Sequence, residues 1–239
     1  MQLLISVAAA SEARAARLGG ADVIDAKDPR DGALGAVRSE LLGALRNAVG
    51  AGRPLSAALG DRGPAALVER RARAAAQVGA SFVKLGFRGA AAVSQARRRA
   101  AAARRGAGPH TGLVLVGYAD WRPAHGLEPD ALLALAVETG AVGVLLDTVV
   151  KDAGLFTRLA PDAIATWVAA AHAAGLFACL AGSLRGTDFA LAGALGADLV
   201  GVRAAACVGG RTGRVSRRRV AALSALARAA PLAPVAALV

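Results

Sequence analysis

Three observations on this sequence predict a (β/α)8 barrel folded as one domain over residues 1–239. A Gly-Ala pair recurs, eight short apolar runs alternate with eight Ala- and Arg-rich stretches, and 239 residues suit one large core. The pair stands at Gly20-Ala21, Gly79-Ala80, Gly140-Ala141 and Gly196-Ala197, at spacings of 59, 61 and 56 residues. Each Gly closes a helix and the run behind it opens a strand.

The first run, Leu3 to Val7, follows Met1 without a basic leader, so it reads as a strand and not as a signal peptide. The second is Asp22 to Lys27, and a Pro/Gly turn, Asp28-Pro-Arg-Asp-Gly32, follows it. Next come Leu55 to Leu59, Phe82 to Lys84 and Leu113 to Ala119, then Val144 to Lys151, Phe177 to Ala181 and Asp198 to Arg203. The segments between them carry helical patterns over 10–18, 36–49, 64–78, 90–105, 129–138, 161–174, 187–195 and 216–229. A doubly wound open sheet is the structural rival. It would ordinarily place a Gly-rich dinucleotide fingerprint after the first strand, and Val7-Ala-Ala-Ala-Ser11 is not one.

Composition narrows the function classes. The net charge of +12 suggests phosphate chemistry, but the arginines are spread through helical segments and aromatics make up only 3% of the chain, so nucleic-acid binding is not expected. Attraction of small phosphorylated metabolites fits better. Cys179 and Cys207 lack zinc or disulfide spacing, which suits a reducing cytoplasm. No uncharged apolar run reaches the ~20 residues a membrane span needs. The three histidines, His110, His125 and His172, offer no metal-ligand spacing, and no metal or cofactor is expected.

The chain holds 26 Arg but only three Lys, namely Lys27, Lys84 and Lys151, and each ends an apolar run. Where Arg serves for ordinary positive charge, a retained Lys marks a place that needs a group able to lose its proton and attack a carbonyl. Strand side chains alternate, so Asp25 and Lys27 face one way. Barrel active sites sit at the C-terminal ends of the strands. Those ends carry Asp25 and Lys27, Lys84, Tyr118 and Asp120, Asp147 and Lys151, Gly182 and Ser183, and Arg203, with Asp120, Gly182, Ser183 and Arg203 as expected substrate- and phosphate-binding groups. Lys84 is the expected cation that lowers the pKa of Lys27, with Asp25 and Asp147 as proton carriers or as ion-pair partners. Small residues at Gly182, Ser183 and Gly201, and at Gly209 and Gly210 after the last strand, suit a phosphate loop; the Gly pair equally suits a tight turn.

At these residues the chain resembles the (5-formylfuran-3-yl)methyl phosphate synthases of methanofuran biosynthesis. The matching pieces are Asp25 to Gly35, Phe82 to Gly86, Gly117 to Asp120, Leu146 to Asp152, Leu180 to Ser183, and Asp198 to Arg203 with Ala205 to Cys207. The resemblance implies a carbon–oxygen lyase that condenses two glyceraldehyde 3-phosphate molecules to a phosphorylated hydroxymethyl furaldehyde, with loss of phosphate and water. It places the Schiff-base lysine on Lys27 and the proton-relay lysine on Lys84. Asp25, Asp147 and Lys151 match further active-site positions, and Gly182, Ser183 and Arg203 fall in the phosphate loops. It also implies a homo-oligomer. The chain departs from the family pattern at Asp28, Arg30 and Ala204 and in a shortened loop from Val208 to Gly213. Another Schiff-base aldolase acting on phosphorylated sugars is the alternative.

Overall fold

In a computed structural model, residues 1–90 and 92–231 are described. Eight parallel strands close a barrel in sequence order: β1 (Gln2–Val7), β2 (Val23–Ala26), β3 (Leu55–Ala58), β4 (Phe82–Gly86), β5 (Gly112–Tyr118), β6 (Gly143–Asp147), β7 (Phe177–Leu180) and β8 (Leu199–Val202). The strand ladder closes where β1 pairs with β8, Leu4 beside Gly201. The expected barrel is therefore the observed fold.

The outer ring consists of α1 (Ala10–Leu18), α2 (Ser39–Val49), α3 (Ala65–Gln77), α4 (Val93–Ala107), α6 (Pro129–Glu138), α8 (Pro161–Ala173), α9 (Phe189–Ala194) and α10 (Arg217–Ala229). One-turn helices α5 (Trp121–Ala124) and α7 (Leu155–Arg158) and a hairpin of β9 (Cys207–Val208) and β10 (Arg214–Val215) were not expected from the sequence. Each is too short to show a period. The helix expected from residue 90 starts at Val93, and the apolar stretch after Pro231 lies outside the described residues.

Strand alternation builds two cores. Leu3, Ile5 and Val7 of β1 face the helices, as do Ile24 and Ala26 of β2. Leu4, Val23, Val114, Val116 and Leu145 face the barrel axis. Phe82 and Phe177 meet edge-on with ring centres 5.8 Å apart, near the start of their strands. All four repeat glycines, Gly20, Gly79, Gly140 and Gly196, have φ between 61° and 90°, which explains why the repeat requires Gly. Pro129 and Pro161 start α6 and α8, where a missing N–H costs nothing. Among the described residues no helix is long and apolar enough to cross a membrane.

Candidate active site

The axial alternation that buries Leu4 and Val23 carries upward to polar positions. Ser6 of β1, Asp25 of β2, Ser56 of β3 and Lys84 of β4 are buried together below the mouth. Lys84 Nζ lies 2.7 Å from Asp25 Oδ2, with both side chains almost fully enclosed at 2% and 0% exposure. Ser6 Oγ donates to Asp25 Oδ2 at 2.9 Å and Ser56 Oγ to Asp25 Oδ1 at 2.8 Å. Burial alone would raise the Asp25 carboxyl. The charges of Lys84 and Lys27 and the two kinds of hydrogen bond outweigh it, so its pKa is lowered and the group stays ionised.

A second pair stands at the end of β6. Lys151 Nζ is 2.7 Å from Asp147 Oδ1 and also donates to the Thr148 carbonyl, while the Thr148 amide donates to the same Asp147 oxygen at 2.7 Å. Asp147 too is lowered overall, burial being outweighed by Lys151, Lys27 and these bonds. Both Lys84 and Lys151 line the pocket, but Lys151 keeps 26% of its side chain exposed against 2% for Lys84.

Lys27 follows β2 and projects to the same side as Asp25, as strand alternation requires. Among the described residues its Nζ has no hydrogen bond or ion pair, and it lines the pocket between the two paired lysines. Desolvation is the main reason its pKa falls to about 8; Lys84 and Lys151 push the same way, against Asp147 and Asp25. At pH 7 about one amine in ten is then free, against roughly one in a few thousand for an ordinary Lys. Lys84, the expected cation, contributes to the lowering, and burial comes first.

Across the mouth, the turn after β7 offers backbone groups. Gly182 has φ 96° and Ser183 φ 55°, and the amides of Gly182, Ser183 and Leu184 make no hydrogen bond among the described residues. All three residues line the pocket, as does Gly201. Consecutive free N–H groups in left-handed backbone form an anion-binding concavity. A Cβ on Gly182 would come within 2.9 Å of Thr148 Cγ2, so both φ and space require Gly there.

Two expected ligands have other duties. Arg203 borders the pocket, yet its five N–H donors are all engaged: by Ser6 O, both Glu12 carboxylate oxygens, Arg211 O and Gly213 O. It clamps the β9–β10 hairpin to β1 and α1 and has no donor left for phosphate. Asp120 does not project into the pocket; its two oxygens accept the Val149 and Val150 amides at 2.8 Å and hold the β6 loop. Gly209 and Gly210, with φ 83° and 74°, make the hairpin turn and do not line the pocket, so the tight-turn alternative describes them.

The sequence reading missed Ser6, Ser56, Glu12 and Arg211. The two serines carried a signal, a polar residue at an inward position of a strand. Glu12 and Arg211 had none, because their partners are distant in the chain. Tyr118 Oη donates to Asp61 Oδ2 at 3.1 Å outside the pocket, and burial with Asp61 and Asp147 raises its pKa well above the ordinary value. Burial pushes the Cys179 thiol up to about 12, which removes it as a nucleophile. His125 is exposed in the loop after β5 and His172 pairs with Asp198 at 2.8 Å. Among the described residues no group of His, Cys, Asp and Glu could hold a metal ion.

Comparison with known proteins places this geometry. The family model described as 4-HFC-P synthase matches residues 3–224. A Methanopyrus kandleri protein named (5-formylfuran-3-yl)methyl phosphate synthase is 36% identical over 89% of this chain and 92% of its own length. The Methanosarcina mazei protein of that name is 33% identical over 94% of this chain and 98% of its own. Among solved structures, 3-hexulose-6-phosphate synthase from Salmonella typhimurium superposes with TM-score 0.63 at 16% identity, over 95% of this chain and all of its own. Phosphoribosyl anthranilate isomerase from Thermus thermophilus gives TM-score 0.63 at 17% identity, over 95% and 98%. At that identity the structural likeness speaks for the fold alone. The family model and the close relatives go further: this chain belongs to the 4-HFC-P synthase family, the (5-formylfuran-3-yl)methyl phosphate synthases.

Proposed function

We propose that this chain condenses two glyceraldehyde 3-phosphate molecules to 4-(hydroxymethyl)-2-furancarboxaldehyde phosphate, through a Schiff base on Lys27, as a step of methanofuran biosynthesis. The observation that carries the reading is the state of Lys27: an amine with pKa about 8 and no ionic partner, set between two lysines that each have one. Its free form attacks the carbonyl of one triose phosphate and expels water, and the resulting iminium draws electrons from the neighbouring carbons. Carbon–carbon bond formation to the second triose, elimination of phosphate and ring closure then follow. The atoms balance when two trioses yield one furan aldehyde phosphate, one phosphate and two waters.

The remaining residues divide the work. Asp147 and Lys151, open to the pocket, carry protons to and from the substrate carbons and oxygens. Lys84 contributes a fixed cation that keeps Lys27 deprotonatable, and at the pocket floor it relays a proton in concert with Asp25. The amides of Gly182 to Leu184 receive a phosphate.

The test is intact-protein mass after incubation with glyceraldehyde 3-phosphate and borohydride, followed by peptide mapping. One reduced triose adduct on Lys27 is expected, absent from Lys27→Ala. An adduct-free protein that remains folded would sink the mechanism. Another Schiff-base aldolase of this fold would also give an adduct, so product identity separates the two: only the proposed reaction generates the ultraviolet absorbance of a conjugated furaldehyde.

A further inference from the structure

The charges around the mouth do not cancel. Lys27, Lys84, Lys151, Arg203 and Arg211 are the cations of the pocket wall. Asp25 takes Lys84, Asp147 takes Lys151 and Glu12 takes Arg203. Asp28, close by, is taken by Arg30. Two cations remain without a carboxylate among the described residues, Lys27 and Arg211. Lys27 can shed its charge by losing a proton, but a guanidinium cannot.

Arg211 is held in place by its own backbone. It lies at the tip of the β9–β10 hairpin, whose turn folds through Gly209 and Gly210. Its carbonyl oxygen accepts Arg203 Nε at 2.7 Å, and Arg203 also holds the Gly213 carbonyl at 3.1 Å. From that fixed base the side chain crosses the mouth to the loop after β2. There Nη1 donates to the Pro29 carbonyl and Nη2 to the Gly32 carbonyl at 2.5 Å. Those two bonds use two of five donors and neutralise no charge. A half-buried guanidinium held only by neutral carbonyls beside an open pocket is a receptor for an anion.

We propose that Arg211 is the side chain that recognises a substrate phosphate, opposite the Gly182–Leu184 amides, while it straps the β9–β10 hairpin to the loop that begins with Lys27. This rests on the reading of the site as one for phosphorylated aldehydes, and assigns the phosphate contact to Arg211 and not Arg203. The strap makes phosphate recognition local to the nucleophile: Pro29 is two residues from Lys27. Unphosphorylated aldehydes reach the same amine but gain nothing from Arg211.

Two measurements on the full chain test this. In the first, inorganic phosphate is titrated calorimetrically into wild type, Arg211→Gln, Arg211→Lys and Lys27→Ala. Loss of a charge-assisted contact predicts phosphate affinity weakened about 10- to 100-fold in Arg211→Gln and several-fold in Arg211→Lys. Lys27→Ala removes a neighbouring cation and should weaken phosphate binding less than Arg211→Gln does; the titration needs no Schiff base, so a failed Schiff-base mechanism would leave the Arg211 result standing. In the second, borohydride trapping compares glyceraldehyde 3-phosphate with glyceraldehyde. Arg211→Gln should slow trapping of the phosphorylated aldehyde about tenfold or more and leave the unphosphorylated one within about twofold. Unchanged phosphate affinity in Arg211→Gln, no phosphate binding by wild type, or an equal loss for both aldehydes would overturn the proposal. If Arg211→Gln does not fold, Arg211→Lys decides: wild-type phosphate affinity with a lowered melting temperature would make Arg211 a structural strap only.

Discussion

The two carboxylate–lysine pairs of the site are alike in distance and in the burial of the carboxylate, and differ in the setting of the lysine. Lys84–Asp25 and Lys151–Asp147 both measure 2.7 Å, but Lys84 is 2% exposed and Lys151 is 26% exposed. The sealed pair has Ser6 and Ser56 on its carboxylate and sits in the polar layer above the axial core. The open pair has backbone groups around it and a face on the pocket. Separation therefore does not distinguish their roles, whereas burial does. A charge that cannot reach water is costly to uncover and can move a proton only in concert with its partner; one that borders solvent can exchange protons with a substrate directly.

The largest effect should come from breaking the sealed pair. Asp25→Asn keeps the shape and removes the charge, which leaves Lys84 as a buried unpaired ammonium at a cost of about 3–5 kcal/mol. Asp147→Asn leaves its lysine able to reach water at the pocket and should cost less than Asp25→Asn does. Urea melts of the two variants measure the contrast. The double variant Asp25→Asn/Lys84→Met should recover much of the loss, because removing both members of a buried pair is far cheaper than removing one. Equal costs for the two single variants would break the comparison.

The pairs should also differ in their hold on Lys27. Adduct formation by wild type should rise with pH and level off above about 8, where the amine is free. Asp147 is the larger of the two carboxylate influences that favour the Lys27 ammonium, Asp25 the smaller. Asp147→Asn should therefore move the midpoint of the trapping profile to lower pH, and farther than Asp25→Asn does. A pH series of single-turnover trapping rates reads this directly, and a midpoint that stays in place in both variants would show that burial alone sets it.

This same division explains what the sequence made legible. The barrel could be read because its repeat is local: a helix-closing Gly, then an apolar run, four times over. The lysines could be read because they are rare among 26 arginines and stand at strand ends, where period-two alternation fixes their direction. Arg211 could not, since one functional arginine is hidden in a chain that uses Arg everywhere and its partners, Pro29 and Gly32, lie about 180 residues away. Arg203 was found for its position but its partners were not, because a sequence does not display which carboxylate will pair with a guanidinium; Glu12, 191 residues away, does. Asp120 went the same way, its oxygens claimed by the Val149 and Val150 amides of the next strand's loop. Side chains on strands follow a rule of alternation, but loop contacts follow tertiary closure alone.

The smallest expected effect concerns the lysine that has no pair. Lys27 has a pKa of about 8 in the folded chain against 10.5 as the ordinary value. Below pH 8 both folded and unfolded chains hold the proton, and the fold bears the cost of a desolvated ammonium. Between 8 and 10.5 the unfolded chain binds more protons than the folded one, so this group's contribution to stability rises with pH across that window and is lost again on acidification through 8. The shift caps the effect at about 3 kcal/mol. Water in the open pocket screens the charge and brings the expected value nearer 1 kcal/mol. Lys27→Met should therefore be more stable than wild type by about that amount at pH 7, with the gap closing as the pH approaches 10.5. Comparing urea midpoints of the two proteins at matched pH cancels every other titrating group. A gap that widens with pH would mean that Lys27 is stabilised as an ammonium, and would erase the distinction between paired and unpaired lysines on which the nucleophile assignment depends.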